Sequence, residues 1–217
     1  MDNTAVTQKE NKLYTTALLL AVFTILYNLA EGIIATWFGY EDETLTLFGF
    51  GVDSFIELIS GIGIMHMILR IRNNPSVSRD GFERTALRIT GTAFYLLVAG
   101  LIIGAGIVIY TGQKPETTLW GVIISSISIL VMLALIYGKR RVGNALNSDA
   151  ILADANCTLV CVYMSIILLV SSGLYELTNL HYIDAAGTLG LAWFSYKEGK
   201  ECFEKASSDK YCACDDD

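Results

Sequence analysis

Two carboxylates and two thiols in this sequence are spaced to share helix faces within apolar surroundings. Asp53 and Glu57, in GFGVDSFIELIS, stand four residues apart, and so do Cys157 and Cys161, in ADANCTLVCVYMS. On an α-helix at about 100° per residue, an i, i+4 pair lies on one face, one turn apart. Asp154 falls within roughly 60° of both cysteines on that face. Two oxygens and two sulfurs suit a tetrahedral, borderline-soft divalent ion: zinc first, with cadmium, mercury and cobalt as further candidates. Magnesium and calcium call for shells of oxygen alone. A dication offsets the two acids, whereas two thiolates as well would leave net negative charge in a low dielectric. Thiols bind metal by losing protons, so metal entry would expel protons and proton entry would expel metal, which is what proton-coupled exchange needs.

The elements that must position these groups are membrane helices. The 217 residues are 53% hydrophobic, and Leu13 to Ala30 runs for 18 positions without a charge. Such lengths match a hydrocarbon core about 30 Å thick. The first twelve residues are polar and include acids, and the run after them is too long for a cleaved leader. The pattern predicts an all-α polytopic membrane protein with six transmembrane helices over 13–39, 45–71, 83–111, 117–139, 143–175 and 182–205. Residues 1–12 form an N-terminal segment, 13–205 a single six-helix domain and 206–217 a short Cys/Asp tail. The only prolines, Pro75 and Pro115, fall in connections, where helix breaking costs nothing.

Basic residues set the orientation. Of the 15 lysines and arginines, 14 fall at the N-terminus, the 2–3 and 4–5 connections and the C-terminal end, against Lys114 alone opposite. That asymmetry predicts both termini on the cytoplasmic side, in the cell (inner) membrane. The net charge of −7 comes from short acidic clusters and intrahelical acids. No basic stripe suggests nucleic acid, and the five cysteines do not form a spaced disulfide framework. With no HExxH and no converging nucleophile, acid and oxyanion donor, enzyme chemistry is not indicated.

Acids at mid-bilayer cost on the order of 3 kcal/mol each by insertion scales, so Asp53, Glu57 and Asp154 ask for an explanation beyond packing. Counting at about 1.5 Å per residue from the helix ends puts Glu57 level with Cys157, and Asp53 level with Cys161 one turn further out. Adjacent helices 2 and 5 would then close four ligands on one ion. Each residue also has an ordinary reading: interhelical hydrogen bonding for the acids and small apolar packing for the thiols. Asp154 reads as a supporting partner of the site, a cytoplasmic gate or a helix cap. Glu31, unusual inside helix 1, is a weaker metal candidate or part of a proton path with Asn28, or a polar contact with helix 2. His66 lies opposite the Asp53–Glu57 face and reads as structural, His181 as solvated. Cys212 and Cys214, in YCACDDD, read as a soft-metal trap or a disordered tail.

The arrangement resembles the cation diffusion facilitators. Asp53-Ser54-Phe55-Ile56-Glu57 is similar to that family's DSxxD on helix 2, and Ala150-Ile151-Leu152-Ala153-Asp154 to the ALxAD that precedes its helix 5 ligands. Asp184 and Lys197-Glu198-Gly199 resemble the start and end of its helix 6. The resemblance, over about residues 13–205, implies six helices, cytoplasmic termini, divalent-metal efflux, dimerisation and metal ligands at Asp53, Glu57, Cys157 and Cys161. Cysteine replaces the family's histidine and aspartate on helix 5, and with only about a dozen residues after helix 6 a short form without the cytoplasmic metal-binding domain is expected. Any homodimer would rest on membrane helices. A non-transporting metal sensor or partner-binding bundle is the competing reading.

Overall fold

The computed structural model describes residues 3–42, 44–73, 81–112, 118–178, 180 and 182–208. These form six helices: α1 (Asn3–Glu41), α2 (Leu45–Asn73), α3 (Gly81–Thr111), α4 (Leu119–Leu146), α5 (Asp149–Thr178) and α6 (Tyr182–Ser207). Pro75, Pro115, Arg79, Lys114, His181 and the tail with Cys212 and Cys214 lie outside the described residues. The stretches Glu10–Glu41, Leu45–Arg70, Arg84–Thr111, Leu119–Leu146 and Asp154–Thr178 are long and apolar enough to cross a membrane. Helix α6 has the length but not the apolar run, because only twelve residues separate Asp184 from Lys197.

Three helix ends depart from the pattern reading. Helix α1 begins at Asn3 rather than Leu13, since no proline or glycine interrupts the intervening turns. Helix α4 continues through Lys139-Arg140-Arg141 to Leu146, and α5 starts at Asp149, six residues later than position 143. The break between them is a two-residue corner. Asn147 takes a left-handed conformation (φ 47°) and its N–H reaches the Asn144 carbonyl, while the Ser148 N–H reaches Gly143. Asparagine tolerates that conformation and ends helices in this way. The sequence held the signal in Asn147-Ser148.

The closest helix pairs are α1 with α2, α3 with α6 and α4 with α5, and α2 also touches α3, α5 and α6. Small residues set the α1–α2 spacing. A Cβ on Gly51 would meet the Thr36 backbone nitrogen at 2.5 Å, and one on Gly39 would meet the Phe48 backbone. Such close approach is the usual use of glycine between membrane helices. One apolar cluster joins Ala17 and Ala21 of α1, Ile68 of α2, Val142 of α4 and Ile151 of α5. The Arg84 guanidinium at the start of α3 donates to the Ala206 carbonyl at the end of α6. Both ends of the described chain therefore lie at one end of the bundle, termed basal below; the opposite end is distal.

Candidate metal centre

At the distal end, acids from one helix cap the start of another. Asp184 of α6 accepts from the backbone N–H groups of Leu45 (3.1 Å) and Thr46 (3.3 Å), at the first turn of α2. Glu176 of α5 accepts from the Thr118 N–H (2.5 Å), just before α4. Helix N-termini leave N–H groups unpaired and carry partial positive charge, so a carboxylate there answers both needs. These contacts fix where α2 and α4 begin, and with them the height of every side chain further along.

Two to three turns deeper, α2 and α5 meet through side chains. The Cys161 thiol donates to Glu57 Oε1 at 2.6 Å, and the Asn28 amide of α1 donates to Oε2 at 3.1 Å. Asp53 is one turn distal to Glu57 and 3% exposed, and its Oδ1 is buried with no hydrogen-bond partner. The amide oxygen of Asn28 is likewise buried and unpartnered. Glu57, Glu31 and Glu198 all lie close enough to act electrostatically on Asp53. This is a region rich in acceptors and short of donors, and such groups rarely go unpaired without a reason.

The two cysteines do not act as one pair. Cys161 faces Glu57, but Cys157 Sγ accepts from Lys205 Nζ of α6 at 3.3 Å, and Lys205 is also paired with Glu201 at 2.5 Å. The expected pairing of Glu57 with Cys157 and of Asp53 with Cys161 is thus displaced by one turn: Glu57 meets Cys161. The cause is the later α4–α5 corner, which moves the midpoint of α5 about four residues along the chain, or one helical turn. Among the described residues, no group of three His, Cys, Asp or Glu converges to hold a single ion.

Asp154 joins neither group. It accepts from Lys139 Nζ at 2.9 Å, and Lys139 also donates to Thr158 Oγ1 at 2.8 Å. Lys139 is not the connection residue that the basic run suggests. It is 2% exposed, because α4 runs on past it and turns it inward. Pattern reading also passed over Lys205, although Glu201 and Lys205 have the i, i+4 spacing of a helical ion pair. Glu31 accepts from Tyr27 OH (2.9 Å) and Ser54 (3.2 Å).

An all-helical bundle with five apolar spans and ionisable groups gathered in its interior is an integral, multi-pass membrane protein. The model of the cation efflux transmembrane domain matches residues 17–209, most of the chain, which therefore belongs to the cation diffusion facilitator family of divalent cation transporters. No curated protein matches it.

Proposed function

We propose that this protein exports a zinc-like divalent ion in exchange for protons, with Asp53, Glu57 and Cys161 binding the ion in transit. The observation that carries this reading is the Cys161–Glu57 contact at 2.6 Å between α5 and α2. A thiol proton there occupies the line along which an ion would bridge sulfur and oxygen. A metal that replaces it gains a soft and a hard donor together and releases the proton. The unpartnered Asp53 oxygen, which does not converge with that pair in this structure, supplies the next donor and the second negative charge once its side chain closes on the ion. Cys157 completes the set once Lys205 gives it up, and the Lys139–Asp154 pair sits on the basal approach as a gate. Basic residues make the basal end cytoplasmic, so export runs from basal to distal. Zinc and cadmium fit the mixed donors best, with mercury and cobalt as further cargo.

The test is flux into proteoliposomes that hold a zinc-sensitive dye under an imposed pH gradient. Glu57→Gln is expected to abolish it while the protein stays folded. Cys161→Ser is expected to weaken zinc and cadmium transport more than manganese or cobalt. Tight binding without flux would instead identify a sensor or partner-binding bundle. Flux indifferent to pH would identify a channel.

A further inference from the structure

The amide of Asn28 is used at one end only. Asn28 lies in α1, within the uncharged run from Leu13 to Ala30, and is 2% exposed. Its Nδ2 donates across to Glu57 Oε2 of α2 at 3.1 Å, while its Oδ1 is buried with no hydrogen-bond partner. A polar side chain in a membrane helix commonly ties two helices together by a hydrogen bond. That accounts for the nitrogen and not for the oxygen, and buried acceptors are rarely left unpaired. Asp53 Oδ1, one turn along α2 from Glu57, is in the same condition. Two acceptors cannot serve each other, but a cation can serve both.

The two ends of an amide are alike in size and shape, so a half-turn about the Cβ–Cγ bond puts the oxygen where the nitrogen stands. That places it at the nitrogen's 3.1 Å from Glu57 Oε2. Oxygens about 2.1 Å from a metal ion lie roughly 3.0 Å apart along an octahedral edge and roughly 3.4 Å apart along a tetrahedral one. The spacing of Asn28 from Glu57 falls between the two. A cation beside Glu57 also repels the N–H end of the amide and attracts the carbonyl end, so its arrival itself favours the turn.

We propose that Asn28 is a metal-binding residue of the transport site, which gives its amide oxygen to the ion from a third helix and sets the preference among ions. The inference rests on the transport reading and deepens it. While Lys205 holds Cys157, the donors available to an ion beside Glu57 are Asp53, Glu57, Asn28 and Cys161: three oxygens and one sulfur. Such a set accepts cobalt and manganese as well as zinc. Once Lys205 releases Cys157, a thiolate displaces the neutral amide oxygen, and two sulfurs beside two oxygens favour cadmium. Asn28 therefore pulls selectivity toward harder ions, against the pull of the cysteines.

The test is equilibrium binding of manganese, cobalt, zinc and cadmium to the purified full-length protein, by calorimetry in detergent. Asn28→Leu keeps the volume and removes the oxygen. It is expected to weaken manganese and cobalt relative to cadmium by at least about tenfold, the lower range for lost partners of a metal site; the cadmium binding that remains shows the variant folded. Asn28→Asp keeps the oxygen, removes the donor and adds a charge, and is expected to strengthen manganese and cobalt relative to cadmium. An Asn28→Asp variant that loses all four ions alike would make the amide a donor to Glu57 and nothing more. One that gains all four alike would make residue 28 a distant charge. Either result overturns the assignment, as does a parent that binds none of the ions. Zinc flux into proteoliposomes is measured beside binding. A parent with the expected selectivity but no flux overturns the transport reading and keeps the ligand. Flux in a parent whose selectivity ignores residue 28 does the reverse.

Discussion

Removing Lys139 should cost more than any other single truncation of a charge at the basal end. Lys139 and Asp154 are 2.9 Å apart with side chains 2% and 7% exposed, whereas the Lys200–Glu204 pair is largely solvent-exposed. Lys139→Met leaves the Asp154 carboxylate buried with no opposite charge, a change that costs about 3–5 kcal/mol. Replacing both partners removes the stranded charge, so Lys139→Met with Asp154→Asn should recover the larger part of that loss. The coupling between the two sites should reach at least ~2 kcal/mol in a double-mutant cycle. The assay is reversible unfolding in mixed micelles of rising SDS content, followed by the fluorescence of the three tryptophans. A loss below about 1 kcal/mol for Lys139→Met, the scale of an exposed pair, would refute the reasoning. So would a double variant no more stable than the single one.

Further outcomes follow from local geometry. Gly51→Ala should destabilise by about 1–3 kcal/mol, because its Cβ meets the Thr36 backbone rather than a movable side chain. Gly100→Ala, with open space around its Cβ, should be neutral or stabilising by up to ~1 kcal/mol; the same unfolding titration measures both. Asp184→Ala removes the acceptor for the first N–H groups of α2 and should cost about 0.5–2 kcal/mol, with faster amide exchange at Leu45 and Thr46. Cys157→Ser should impair cadmium flux less than Cys161→Ser, because Cys157 is engaged by Lys205 and Cys161 by Glu57. Equal impairment would show that Lys205 does not hold Cys157 back from the ion.

The helices were legible because membrane spans are a local property. Leu13 to Ala30 carries no charge, and such a run satisfies its own backbone hydrogen bonds only as a helix. The facing of Asp53 with Glu57 is equally local, since the turn of an α-helix places residues i and i+4 together whatever surrounds them. For the same reason the i, i+4 cysteines shared a face on paper, yet their partners differ: Glu57 for Cys161 and Lys205 for Cys157. Spacing within a helix says nothing of which neighbour each turn meets.

What the chain determined by itself is the number of helices, their apolar character and the presence of ionisable groups inside them. Tertiary structure decided the rest: that α2 and α5 touch, that Glu57 stands level with Cys161, and that Lys139 is buried against Asp154 rather than solvated in a connection. The physical reason is that height in a bundle accumulates from the helix ends. Each residue by which an end moves shifts every later side chain by about 1.5 Å and about 100°. The α4–α5 corner at Asn147-Ser148 moved one helix by a turn, and that turn sets which thiol the buried acid meets.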